Sequence, residues 1–249
     1  MLLALVVASA LSGQVAQSMA PTGRFIDFHE DLKRHDVAVV FGTLGSLKEG
    51  KKERLKPEEA GGLGEGGAQV VVSGAVFYRV KATGKLEAAE VHCGLGSAGE
   101  KIPIAFEMNT ATLPSGDKKR HLIGPEDRAE LFEETVALFV LEKPPGKAAT
   151  IRRVTRFEAK SPEDLAKAKD VAADWYAINR AKLDLLVATE EATTLRDRGD
   201  KSGAIEKLRA VLDAKRTWRR LESDGVASQA LSAARSRAIE LRKDLEREK

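Results

Sequence analysis

The chain has 249 residues, of which 43% are hydrophobic and 32% are charged, so it can form a sizeable core and is not globally disordered. Its 41 Lys and Arg residues nearly balance its 38 Asp and Glu residues, and the formal net charge is +3. This balance excludes a strongly cationic nucleic-acid coat protein and a polyacidic tail protein. A chain of this length forms one large domain or two ordinary ones.

The first residues form a short apolar segment. Residues 2–11 (LLALVVASAL) carry no charge, but the run is too short to span a membrane as a helix, which takes about 20 residues. It is typical of the apolar core of a secretory signal peptide. We therefore predict a signal peptide over residues 1–20, a lead-in segment over 21–35, and a secreted or periplasmic protein whose mature chain has no transmembrane segment. The alternative is an uncleaved membrane anchor.

Residues 36–158 contain short runs of β-forming residues between glycine, proline and charged clusters, which is typical of an all-β domain. In the clearest run, residues 102–108, large apolar residues alternate with small or polar ones. Pro103 cannot donate a ladder hydrogen bond, so this strand should lie at an edge or begin near Pro103. We predict six strands in an antiparallel barrel or sandwich, at residues 37–44, 69–80, 86–93, 102–112, 135–141 and 149–157.

Residues 161–249 have a helical pattern. A hydroxyl cap at Ser161, a proline at the first helical position and acids in the first turn predict a helix start. Glycine-containing turns at 198–200 and 223–225 divide the region into three helices, which short connections should pack antiparallel. The third helix, residues 226–247, has a heptad pattern, so the alternative is a hairpin plus a coiled-coil helix that forms a homo-oligomer. The predicted class is α+β.

Two families are suggested by short segments. Residues 195–212 (LRDRGDKSGAIEKLRAVL) resemble the centre of a tetratricopeptide repeat, in which a Gly-Asp turn precedes a helix with the pattern Ala-Ile-x-x-Leu. This resemblance implies one helical hairpin over about residues 183–212 that binds a peptide or protein.

A second resemblance concerns the β region. Residues 35–43 (HDVAVVFGT), 77–80 (FYRV) and 137–141 (ALFVL) look similar to strands of the oligomer-binding-fold barrels in netrin-like and metalloproteinase-inhibitor-like modules of secreted proteins. The resemblance covers about residues 36–157 and implies a β barrel. It carries no site residue over to this chain.

Motifs for catalysis, metals and cofactors are weak. Residues 62–67 and 94–99 fit G-x-G-x-x-G, but strand-like residues follow both, so turns explain them better than a dinucleotide site does. The four histidines lack the local spacing of a metal site, and no hydrolase, metalloprotease or phosphate-loop signature occurs. We therefore predict a non-catalytic protein with no catalytic residue, no metal and no cofactor.

Cys93 is the only cysteine, which excludes an intramolecular disulfide. A neighbouring imidazolium at His92 would lower the pKa of its thiol and make it nucleophilic. Adjacent residues on a strand point to opposite faces, however, which favours a buried, inert thiol.

Basic residues concentrate late in the second helix, where they surround a tryptophan. The set consists of Lys215, Arg216, Trp218, Arg219 and Arg220. One interpretation is a solvated face whose charges complement the helix dipole. The other is a binding surface for an acidic protein or an anionic lipid headgroup, and predicted export argues against nucleic acid.

The function that these patterns favour is protein recognition or assembly, through the helical region, by an exported protein of the cell envelope with an unknown and acidic partner. One alternative is a small-ligand or enzymatic site formed by loops 61–67 and 114–128 at the mouth of the barrel. The other is a peripheral membrane tether that uses the basic second helix.

Overall fold

The computed structural model describes residues 25–56, 76–94, 96–112, 114–116, 118–122, 134–213 and 225–247. Within these ranges, six strands precede three α-helices, which confirms the predicted α+β class. The strands are β1 (Val37–Leu55), β2 (Val76–Cys93), β3 (Lys101–Thr112), β4 (Lys118–Leu122), β5 (Val136–Glu142) and β6 (Ala149–Phe157). The helices are α1 (Pro162–Asp197), α2 (Lys201–Leu212) and α3 (Gly225–Arg247).

Five strands close into a barrel. β1 pairs antiparallel with both β2 and β5, and β2–β3 and β5–β6 are also antiparallel pairs. The ring closes through a short parallel pairing in which Ile104 and Ala105 of β3 lie opposite Ala149 and Thr150 of β6. β4 lies outside the ring and pairs antiparallel with β3.

The strand boundaries differ from the sequence prediction in three places. β1 continues past residue 44, where the predicted strand ends, because its backbone pairs with β2 as far as Leu55 opposite Phe77. Residues 69–75 of the strand expected at 69–80 lie outside the described residues. Residues 76–80 and the strand expected at 86–93 are parts of one strand, since β2 also pairs across the expected gap. Part of the loop expected at 114–128 is β4, whose backbone pairs with β3.

The first part of β1, residues 37–44, and β5 are buried on both faces. Val40 of β1 and Phe139 of β5 belong to the apolar cluster inside the barrel. Val39 and Phe41 of β1, with Val140 of β5, belong to a second cluster that includes buried residues of α1. Burial on both faces explains why residues 37–44 and β5 have nearly continuous apolar sequences rather than an alternating pattern.

Gly42 allows β1 to bend within the barrel. A Cβ atom at this position would lie 2.3 Å from the backbone oxygen of Glu87 on β2, so only glycine fits. The register between β1 and β2 also shifts between Phe41 and Gly42. Such an irregularity increases the local bend and twist, which helps one strand to pair on both sides of a closed barrel.

The helix boundaries follow the caps that the sequence predicted. Ser161 Oγ accepts a hydrogen bond of 3.1 Å from the backbone N–H of Asp164 at the start of α1. After α1 the backbone reverses at Gly199, whose φ is +84°. The side chain of Asp200 then accepts a hydrogen bond of 2.9 Å from the N–H of Gly203 and caps α2.

The apolar face of α3 packs inside the chain. Its buried residues Leu231, Ala234, Ala238 and Leu245 belong to the same cluster as residues of α1 and α2. These are residues of the predicted heptad pattern, so association of two chains through α3 would require it to leave α1 and α2. None of the helices in the described part of the chain has the length and apolar character needed to cross a membrane.

Candidate functional site

Several residues singled out from the sequence lie outside the described residues. They are the signal segment 1–20, loop 61–67 and the basic set Lys215, Arg216, Trp218, Arg219 and Arg220. Of loop 114–128, the described residues are 114–116 and the strand β4. The roles predicted for these segments therefore stay predictions.

A groove of about 500 Å³ opens between the carboxy-terminal half of α1 and α2. We call it the hairpin groove. Its lining contains both apolar and charged side chains: Val187, Glu190, Glu191, Thr194, Leu195, Arg198 and Lys207. The groove lies on the helical hairpin formed by α1 and α2. It forms where the carboxy-terminal half of α1 packs against α2, which follows α1 after a short turn.

The apolar part of the hairpin groove is centred on Val187. This side chain is 39% exposed, although it is a large hydrophobic residue in the middle of a packed helix. In the described part of the chain, Leu165 near the start of α1 is similarly exposed, at 38%, but it does not line the groove. Leu195 is half-buried and contacts the helical core from the same groove.

The charges of the hairpin groove balance. Lys207 Nζ on α2 lies 2.8 Å from Glu191 Oε2 on α1, and this hydrogen bond raises the pKa of Lys207. The lysine is therefore charged at neutral pH and links the two helices. Glu190 and Arg198 are exposed and give the groove one further charge of each sign. A formally neutral groove with an apolar centre suits a protein surface better than a polyanion.

A second arrangement holds residues 25–29, the strap, against α1. The backbone N–H of Phe28 donates to Asn179 Oδ1 at 2.6 Å, and Asn179 Nδ2 donates to the carbonyl oxygens of Ile26 at 3.1 Å and Trp175 at 2.9 Å. Asn179 is fully buried. The side-chain amide thus binds the strap as a neighbouring strand would. It donates to the carbonyl of one strap residue and accepts from the N–H of a residue two positions later.

His92 and Cys93 meet the same residue of α1. His92 stacks on the ring of Tyr176, and the Cys93 thiol is hydrogen-bonded with the Tyr176 hydroxyl. The expectation that the two side chains serve separate faces is therefore wrong at this end of β2. Burial raises the pKa of Cys93 and lowers that of His92, so neither charged form is favoured. A nucleophilic thiolate activated by an imidazolium has no support here.

No local sequence motif points to Asn179 or Tyr176, because their partners are far away in the chain. Phe28 and Asn179 are 151 residues apart. A polar residue on the buried face of a long helix was the one available signal for Asn179. In the part of the chain that the structure describes, no three His, Cys, Asp or Glu side chains are placed to hold a metal ion.

Comparison with models of protein families, with curated proteins and with solved structures finds no match for this chain.

Proposed function

We propose that this is an exported, non-catalytic protein that acts in protein recognition at the cell envelope through its helical region. The observation that carries the recognition part is the hairpin groove, in which Val187 is exposed between charged side chains of both signs. An exposed aliphatic residue inside a concave surface is the kind of feature that a partner side chain covers. The export part rests on the apolar run at residues 2–11.

Two further observations support the proposed relationships. The turn at Gly199 and Asp200 joins two antiparallel helices, as a tetratricopeptide-like hairpin requires. A closed ring of five strands is consistent with an oligomer-binding-fold barrel. In the proposed arrangement the barrel is the support to which α1 is attached, and the end of α1 farthest from the barrel presents the groove.

Site-specific photo-crosslinking tests the recognition proposal. A photoreactive amino acid at position 187 should form a discrete adduct in intact source cells, whereas the same amino acid at position 165 should not. Leu165 is a matched control because it lies on the same helix with nearly the same exposure, 38% against 39%. Equal adducts from both positions, or none from position 187, would contradict the proposal.

A charge reversal in the groove tests whether the adduct depends on its geometry. Lys207→Glu places a carboxylate next to Glu191 and removes the ion pair between α1 and α2. We expect the adduct at position 187 to fall about tenfold, which corresponds to about 1.4 kcal/mol of binding free energy. Lys167→Glu, at another exposed ion pair of α1, should leave the adduct unchanged.

Export is tested separately by the intact mass of the protein from fractionated cells. A mature chain shorter by roughly 12 to 20 residues outside the cytoplasm is the expected result. A full-length chain in the cytosol would contradict export without bearing on the groove.

A further inference from the structure

His92 lies at the end of β2, between the barrel and α1. Its side chain is only 6% exposed. The imidazole stacks on the ring of Tyr176 from α1, with ring centres 5.2 Å apart and an angle of 13° between the planes. A titratable ring therefore forms part of the contact that holds the first half of α1 on the barrel.

The surroundings of this imidazole offer no good hydrogen-bond acceptor that would stabilise a second proton on the ring. Nδ1 lies 3.4 Å from Glu90 Oε1, which is long for a hydrogen bond. Nε2 is buried and has no hydrogen-bond partner within the described residues. Burial favours the neutral ring, and this desolvation lowers the pKa of His92 below the ordinary histidine value of about 6.5.

The titratable and charged groups around His92 come from the two elements that meet there. From β2 these are Glu90 and Cys93, and from α1 they are Lys169 and Tyr176. Glu90 is already engaged, because its Oε2 lies 3.1 Å from Lys169 Nζ. A protonated His92 would therefore share one carboxylate with a lysine, and the lysine charge opposes protonation.

We propose that His92 is a pH-sensitive latch, which holds the first half of α1 on β2 when the ring is neutral and loosens this contact when the ring is protonated. This inference concerns the barrel end of α1 and is independent of the hairpin groove.

The direction of the pH effect follows from linkage. Well above pH 6.5, the ordinary pKa of histidine, the ring is neutral in both the docked and the undocked chain, so its contribution to docking is complete. As the pH falls below 6.5, the undocked chain takes up a proton more readily than the docked chain, whose pKa is lower. Docking therefore becomes weaker as the pH falls below 6.5, and it is weakest at pH values below the pKa of His92 in the docked chain.

Hydrogen exchange at the amides of residues 163–176 measures the docking. Between about pH 7 and pH 5, with intrinsic exchange rates corrected for, we expect the opening of this segment in the full chain to increase about threefold or more. His92→Phe keeps an aromatic stack that cannot be protonated and should remove the increase. His35→Gln, a change at an exposed histidine, should retain it.

An NMR titration of the wild-type imidazole provides a test that does not depend on a variant. His92 should titrate below pH 6.5. Titration at or above 6.5, or a wild-type exchange profile that His92→Phe leaves unchanged, would overturn the latch.

Discussion

At the scale of single residues, Asn179 determines the path of the strap. It supplies the partner for the N–H of Phe28 and for the carbonyl of Ile26, and it has no exposed surface. Asn179→Leu would leave both backbone groups buried without partners. We expect the free energy of unfolding to fall by about 2 to 4 kcal/mol, measured by urea denaturation, because each orphaned buried group costs about 1–3 kcal/mol.

Thr194→Val is the control for Asn179→Leu. The Thr194 hydroxyl donates a hydrogen bond of 3.0 Å to the carbonyl of Glu190 in the same helix, and Thr194 is exposed. We expect its effect on unfolding to stay within about 0.5 kcal/mol. If Asn179→Leu changed the free energy as little as Thr194→Val does, the strap would not depend on the amide.

At the scale of elements, a bulge in β6 brings two arginines to one carboxylate. Arg152 Nε and Arg153 Nε lie 2.8 and 2.7 Å from the two side-chain oxygens of Asp31, which is 4% exposed. Consecutive residues of a regular strand point to opposite faces, but the register with β5 shifts here, between Val140 and Leu141. The irregularity is what lets both guanidinium groups bind the short 3₁₀ turn before β1.

Replacing this carboxylate should release the turn from β6. For Asp31→Asn we expect a loss of about 1 to 3 kcal/mol in the free energy of unfolding, since both partly buried arginines lose the carboxylate charge and the amide keeps only one acceptor oxygen for them. Glu163→Gln is the comparison, because Glu163 is paired with Lys167 but is 77% exposed. Its effect should be about 0.5 kcal/mol or less. Thermal unfolding of both variants beside wild type measures the difference.

The elements that the sequence predicted well are those with local determinants. The cap at Ser161 and the turn at Gly199 depend on residues a few positions away, and both lie where expected. The second half of β1 was missed because its charged composition is typical of a loop, whereas its strand structure comes from pairing with a distant segment. The contact of His92 with Tyr176 could not be inferred for the same reason.

At the scale of the whole molecule, one apolar cluster connects the barrel with all three helices. It contains Phe41 and Val140 of the barrel, Ile178 of α1, Leu208 of α2 and Leu245 of α3. The sequence indicated a change from strands to helices near residue 160, but it could not show that apolar residues on the outer surface of the barrel lie against α1. The hydrophobic core is therefore shared across the predicted boundary.

A shared core predicts that the two halves of the chain depend on each other. Residues 25–160 produced without the helices would expose Val39, Phe41 and Val140, which are fully buried in the whole chain. We expect this fragment to bind a hydrophobic dye and to unfold at a temperature at least about 10 °C below that of the whole chain, because removing the cover costs several kcal/mol of apolar burial. The whole chain should unfold in one transition by both circular dichroism and tryptophan fluorescence. Two separate transitions, with the barrel fragment as stable as the barrel in the whole chain, would mean that α1 rests on the barrel without stabilising it.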